Sequence, residues 1–226
     1  MAVRRQPAQA AASALRRRPQ LSEDVANHVR HLVMSGEIRP GDFIRLDETA
    51  AELGVSVTPV REALLTLRGE GMVELVPHRG YVVSPLTVED IVDIFWLQGQ
   101  IAVELVRRAA PLITESVLAE LTTLNASLSA AVDAGQADEV EDYEFEFHRV
   151  LNRLTEANKL AWFLNNATRY TPKRLYAADP DWGRSTVRNH EKLIDALRAG
   201  DVELACTLMR QQFTDGAERL IAYRNM

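Results

Sequence analysis

Cysteine is almost absent: Cys206 is the only one in 226 residues. No intrachain disulfide is possible, which suits a reducing compartment, and its place within a helical pattern marks Cys206 as a core residue rather than a nucleophile. Long apolar runs are missing as well, none approaching the roughly 18 residues of a membrane span. The Arg4-Arg5 pair is not followed by the apolar stretch that a secretory signal needs. A cytoplasmic protein is expected. Positive charge is in deficit, with 26 Lys and Arg against 32 Asp and Glu for a net charge of -6. Binding to nucleic acid by bulk charge is therefore excluded, and any such partner requires a local basic surface.

The deficit is uneven. Residues 1 to 19 hold five arginines and no acid, residues 20 to 86 hold six arginines against ten acids, and residues 87 to 226 hold 15 basic against 22 acidic residues. The first 20 residues, rich in Ala, Gln, Arg and Pro, read as a flexible basic arm able to add salt-sensitive phosphate contacts. From Ser22, a plausible N-cap, Val25, Val29, Leu32 and Val33 share one helical face that stops at Gly36. Pro40-Gly41 makes a turn, Phe43 to Leu46 a short strand, and Asp47 to Leu53 a short helix closed by Gly54. The next helix opens with Thr58 as N-cap and Pro59 at its first position, giving a helix-turn-helix. VELVPHRGYVV then alternates around Pro77-His78-Arg79-Gly80, predicting a hairpin. A winged helix-turn-helix domain over residues 21–84 follows.

Beyond a hinge near residues 84 to 87 there is no strand signal. Six helices are expected at about 88–110, 116–134, 139–156, 159–171, 184–199 and 201–223, forming an all-helical domain over 87–226. The fold class is mainly α, a winged helix followed by a helical bundle.

In a helix-turn-helix the second helix lies in the major groove and reads bases from its first turns. Val60, Ala63, Leu64 and Leu67 occupy one face of that helix, so Ser56, Thr58, Pro59 and Arg61 at its start are the candidate DNA contacts. Arginine is suited to a bidentate contact with guanine. His78, Arg79 and Gly80 form a small polar hairpin tip that fits the neighbouring minor groove. The stretches LSEDVANHVRHLVMSGEIRPGD, ETAAELGVSVTPVREAL and EGMVELVPHRGYVV closely resemble the DNA-binding domain of the GntR family of bacterial transcription regulators. That family usually carries an arginine where this chain has Val57, so the resemblance implies DNA binding with one customary contact missing.

In the helical half, polar residues interrupt apolar stripes, and buried polar groups need partners or a metal. Gln98 lies among Ile91, Ile94, Phe95, Ile101 and Leu105; Glu144 and His148, four apart, lie among Val140, Phe147 and Leu151. His190 shares a face with Val187, Ile194 and Leu197, and Gln212 follows Ala205 and Leu208. A Glu and two His suit a borderline divalent cation such as zinc, nickel or manganese. These residues resemble the FCD ligand-binding domain of FadR-like GntR regulators, and the six helices look like the shorter VanR-like branch. The resemblance implies a divalent metal on Glu144, His148, His190 and Gln212, a small organic-acid effector, and a homodimer on a near-palindromic double-stranded operator. It departs from the pattern at Gln212, where a third histidine is usual, and at Gln98 and Ala102, where Arg and Glu are common. Arg149, Arg169 and Asn166 are the remaining polar candidates near an effector, with Gln98 the residue assigned to it. Two other classes compete: a metal-dependent enzyme using a two-His one-carboxylate centre, and a DNA-bound structural factor. No cofactor loop or further acid, base or nucleophile supports the enzyme.

Overall fold

The computed structural model describes residues 8–171 and 180–224, the side chains of 8–20 and of 180 excepted. The chain divides into two compact units, Met1–Leu86 and Thr87–Met226.

The first unit begins with α1 (Ala8–Ser35), so the helix expected to start at Ser22 starts earlier. The segment read as a flexible arm is helical from Ala8, because Ala, Gln, Leu and Arg are strong helix formers even without an apolar period; residues 1–7 lie outside the described residues. β1 (Phe43–Ile44), α2 (Leu46–Leu53) and α3 (Val57–Gly69) follow. Leu46, expected in the strand, instead opens α2. The N-cap of α3 is Ser56 rather than Thr58, which puts Pro59 third in the helix. Pro59 still costs no intrahelical bond, since the first four amides of a helix have no partner.

β2 (Val73–Val76) and β3 (Gly80–Val83) form the hairpin, and the sheet order is β1-β3-β2 with every pair antiparallel. Ile44 pairs with Tyr81, and Leu75 with the same Tyr81 from the other side. The turn has Pro77 and then His78 at φ 61°, and Arg79 N–H donates to Val76 O at 3.0 Å. Proline at the second position and a positive φ at the third are the requirements of a type II turn. Gly80 is required on two counts: its φ is 106°, and a Cβ there would lie 3.0 Å from Ile44 O.

Val60, Ala63, Leu64 and Leu67 of α3 are fully buried together with Val29 and Met34 of α1. Burying a side chain such as Leu67 contributes about 2 kcal/mol relative to exposure. The end of α3 is tied to α1 by Arg30, only 1% exposed, whose Nε and Nη2 donate to the Glu70 carboxylate at 2.9 and 2.7 Å. Nη1 of Arg30 donates to Asn27 Oδ1 at 2.6 Å, so the buried guanidinium is extensively paired.

The second unit contains, among the described residues, α4 (Val88–Ala109), α5 (Glu115–Ala134), α6 (Ala137–Leu154), α7 (Asn158–Ala167), α8 (Pro180–Ala199) and α9 (Val202–Arg224). Thr87 and Asp90 close a capping box at the start of α4: Asp90 N–H donates to Thr87 Oγ1 at 3.0 Å and Thr87 N–H to Asp90 Oδ2 at 2.8 Å. Pro111 does not simply break the chain but sits in a 3-10 turn, Ala110–Leu112, that continues α4. The helix expected over 159–171 ends its α-helical part at Ala167 and closes with the 3-10 turn Thr168–Tyr170. The break expected from Pro172 to Gly183 lies largely outside the described residues, and α8 already runs from Pro180.

Leu105, Leu121, Phe147, Leu151, Leu193 and Met209 make the centre of one continuous core, to which α7 adds Leu164. Cys206 is buried in it, where burial pushes its thiol pKa up, as expected of a core residue. α4 packs along α9, and α5 packs against α6 and α8. Close approach of α4 to α9 depends on Gly216, where an added Cβ would lie 2.8 Å from the Phe95 ring.

Candidate DNA interface and metal centre

The first turns of α3 present an outward face because its other face is used up in the core. Ser56, Thr58 and Arg61 are exposed, and among the described residues Arg61 is in no ion pair. Pro59 departs from expectation: its ring is buried with Val60, so it holds the helix against the core instead of facing outward. Val57, half-buried, opens the helix. On the wing, His78 and Arg79 are exposed and Gly80 is half-buried, so the glycine contributes backbone shape while the two side chains project. The Arg79 guanidinium lies 5.9 Å from the centroid of the Phe43 ring, a cation–π approach that links the wing tip to β1.

In the helical unit four of the expected residues come together. Glu144 and His148 share a face of α6, with His148 Nε2 3.2 Å from Glu144 Oε1. His190 of α8 brings its Nε2 to 3.3 Å from Glu144 Oε2. From α9, Gln212 Nε2 lies 2.7 Å from Glu144 Oε1, 3.1 Å from His148 Nε2 and 3.3 Å from His190 Nε2. Glu144, His190 and Gln212 are buried, and His148 is partly so. One ligand atom from each of Glu144, His148 and His190 lies within 4.8 Å of the others.

Burial pushes the Glu144 carboxyl upward, but His190, His148 and the Gln212 amide outweigh it and hold the group below its ordinary value. Burial drives His190 down to about 4, against the opposing pull of Glu144. At neutral pH the pair is an ionised carboxylate beside a neutral imidazole. Phe147 stacks on His190 with ring centroids 3.7 Å apart and planes 1° from parallel, which fixes the imidazole orientation.

Two residues that the sequence reading passed over complete the cluster. Asn125 of α5 donates through Nδ2 to Val187 O at 3.1 Å and places Oδ1 3.2 Å from His190 Nδ1. Asn189 of α8 donates through Nδ2 to Leu208 O at 3.3 Å and to Gln212 Oε1 at 3.2 Å. Asn125 left a usable signal, a polar side chain in the buried stripe Leu118, Leu121, Leu128, Val132. Asn189 left none, being half-buried beside His190.

Gln98 is fully buried, but its amide is tied to α7: Nε2 donates to Ala167 O at 2.8 Å, and Oε1 has no hydrogen-bond partner among the described residues. Of the other polar candidates, Arg149 is paired with Glu146 at 2.7 Å and Asn166 donates to Trp162 O at 2.7 Å.

The residues fit a divalent cation in three of four positions. Glu144 keeps a buried oxygen, Oε2, without a hydrogen bond. His190, held from behind by Asn125, has the supported ring that a metal-ligating histidine requires. Gln212 does not fit, since it turns its nitrogen, a donor without an available lone pair, toward the other three.

A winged helix followed by an all-helical domain is the architecture of a class of DNA-binding regulators. Residues 21–83 match the gntR family of bacterial regulatory proteins, and residues 93–215, more than half of the chain, match the FCD domain. The chain belongs to the gntR family, as a member with an FCD domain, and is a DNA-binding transcriptional regulator. It is 25% identical over 209 residues to the transcriptional repressor RspR of Escherichia coli, covering 88% of this chain and 90% of that one. It is 26% identical over 204 residues to the gluconate operon transcriptional repressor of Bacillus subtilis, covering 87% and 83%. Its fold is that of E. coli McbR/YncC, with a TM-score of 0.69 at 24% identity over 89% of this chain and 97% of that one. These relatives are transcriptional regulators, and none is named as an enzyme.

Proposed function

We propose that the chain is a cytoplasmic repressor that binds a near-palindromic operator as a homodimer and changes its operator affinity when a small organic acid enters the FCD domain. Ser56, Thr58 and Arg61 read the major groove, Pro59 seats α3, and His78 and Arg79 reach the minor groove with Gly80 allowing close backbone approach. The observation that carries this reading is Arg61, exposed and in no ion pair among the described residues, on the first turns of a helix whose opposite face is fully buried. Repression is the role named for two relatives of similar length, RspR and the gluconate operon repressor.

In this reading Glu144, His148 and His190 hold a divalent metal, zinc by ligand type, with nickel or manganese as alternatives. The ion would supply a positive centre for an acidic effector in a domain where Gln98 stands in place of the customary arginine. Effector binding then acts by its different affinity for two settings of the dimer, with no chemistry on the ligand.

Selection of bound sequences from a random duplex pool by the full-length protein tests the proposal. Two inverted half-sites at a fixed spacing are expected. Enrichment of a single half-site, or none from protein shown to be folded, overturns the dimeric operator reading.

A further inference from the structure

Two main-chain carbonyls determine which way the polar cluster points. Leu208 O can only accept, so Asn189 must present its NH2 to it, and that same NH2 faces Gln212 at 3.2 Å. The Gln212 atom facing Asn189 is therefore the oxygen, and the amide nitrogen faces Glu144, His148 and His190. By the same logic Val187 O orients Asn125, leaving Asn125 Oδ1 as the acceptor for His190. His190 is thus protonated on Nδ1, and its Nε2 is a bare lone pair aimed into the cluster.

The Gln212 nitrogen stands where three donor atoms converge, 2.7, 3.1 and 3.3 Å from Glu144 Oε1, His148 Nε2 and His190 Nε2. Its two hydrogens meet Glu144 Oε1 and the His190 Nε2 lone pair, while His148 Nε2 also lies 3.2 Å from Glu144 Oε1, and this pairing offsets part of the cost of burying the cluster. We propose that the Gln212 carboxamide is a built-in plug of the metal centre: the cluster closes on its own side chain, rests without metal, and admits a divalent cation only when that amide is displaced. The proposal rests on the reading of Glu144, His148 and His190 as a metal centre. Turning Gln212 to offer its oxygen is obstructed by Asn189, because it would set two NH2 groups against each other while Leu208 O holds one in place. Asn189 therefore works against Gln212 as a fourth ligand instead of orienting it.

The test uses full-length protein stripped with a chelator and titrated with zinc against a chromogenic competitor. The parent is expected to bind less tightly than Gln212→His by about ten- to a hundredfold, the range for altering a single supporting residue of a metal site. Asn189→Ala, which frees the amide to turn while leaving all three ligands in place, is expected to tighten zinc binding several-fold; it also serves if Gln212→His fails to fold. Nitrogen NMR of the metal-free parent is expected to show His190 with a protonated Nδ1 and an unprotonated Nε2. A parent that purifies with one tightly held ion, unaffected by either substitution, overturns the plug while leaving the metal centre intact. Failure of every folded variant, Gln212→His included, to take up zinc overturns the metal centre itself and the plug with it.

Discussion

The two units use the same material, amphipathic helices, to opposite ends. In the DNA-binding unit the core is purely a support: α3 buries Val60, Ala63, Leu64 and Leu67 so that Thr58 and Arg61 are left outside. In the FCD unit the polar side chains stand inside the stripe: His190 is as fully buried as the leucines around it, and Glu144 and Gln212 are buried as well. Function at an exposed face costs the fold little, since water solvates the side chains before DNA arrives. Function at a buried cluster needs internal partners for most of its polar atoms, which Asn125 and Asn189 supply while Phe147 stacks on His190.

The contrast is broken most forcefully at Phe147. Phe147→Ala removes a fully buried ring that also stacks on His190, and should destabilise the helical unit by about 3–5 kcal/mol. Chemical denaturation measures this, and a loss below about 1 kcal/mol would show that the cluster does not depend on its packing. Arg61→Ala should do the reverse, costing about 1–3 kcal/mol in specific operator binding while leaving unfolding unchanged. Anisotropy titrations on the selected operator and on a scrambled duplex separate the two effects, and equal losses on both would remove Arg61 from base reading. The smallest effect is expected at the wing, where Arg79→Ala should lower the slope of log affinity against log salt by about 1 and leave sequence preference largely intact. An unchanged slope would take Arg79 out of the DNA interface.

Legibility differed between the units for the same reason. Hairpin, turn glycines and the amphipathic α3 are local patterns, and they were read within a residue or two of their observed ends. The errors fell where local rules compete. Ser56 rather than Thr58 caps α3 because two candidate caps sit two residues apart and the backbone at Ser56 is the extended one, with ψ 162°. α1 begins well before its apolar period, at Ala8, because helix propensity suffices there. Pro59 was counted with its exposed neighbours although it faces the core. In the FCD unit the interruptions at Glu144, His148, His190 and Gln212 were visible as breaks in apolar stripes, and they do converge. Gln98 showed the same break and went elsewhere, to Ala167 on α7.

By itself the sequence determined the fold class, the order of elements, the family and the residue types gathered at each site, because periodicity and turn chemistry are carried by neighbours along the chain. Only the tertiary structure decided what those residues do when gathered. The direction of the Gln212 amide depends on Asn189, 23 residues away, and the protonated nitrogen of His190 depends on Asn125, 65 residues away. A hydrogen bond has a donor and an acceptor, and which partner plays which role is settled by contacts across helices that no spacing along one helix encodes.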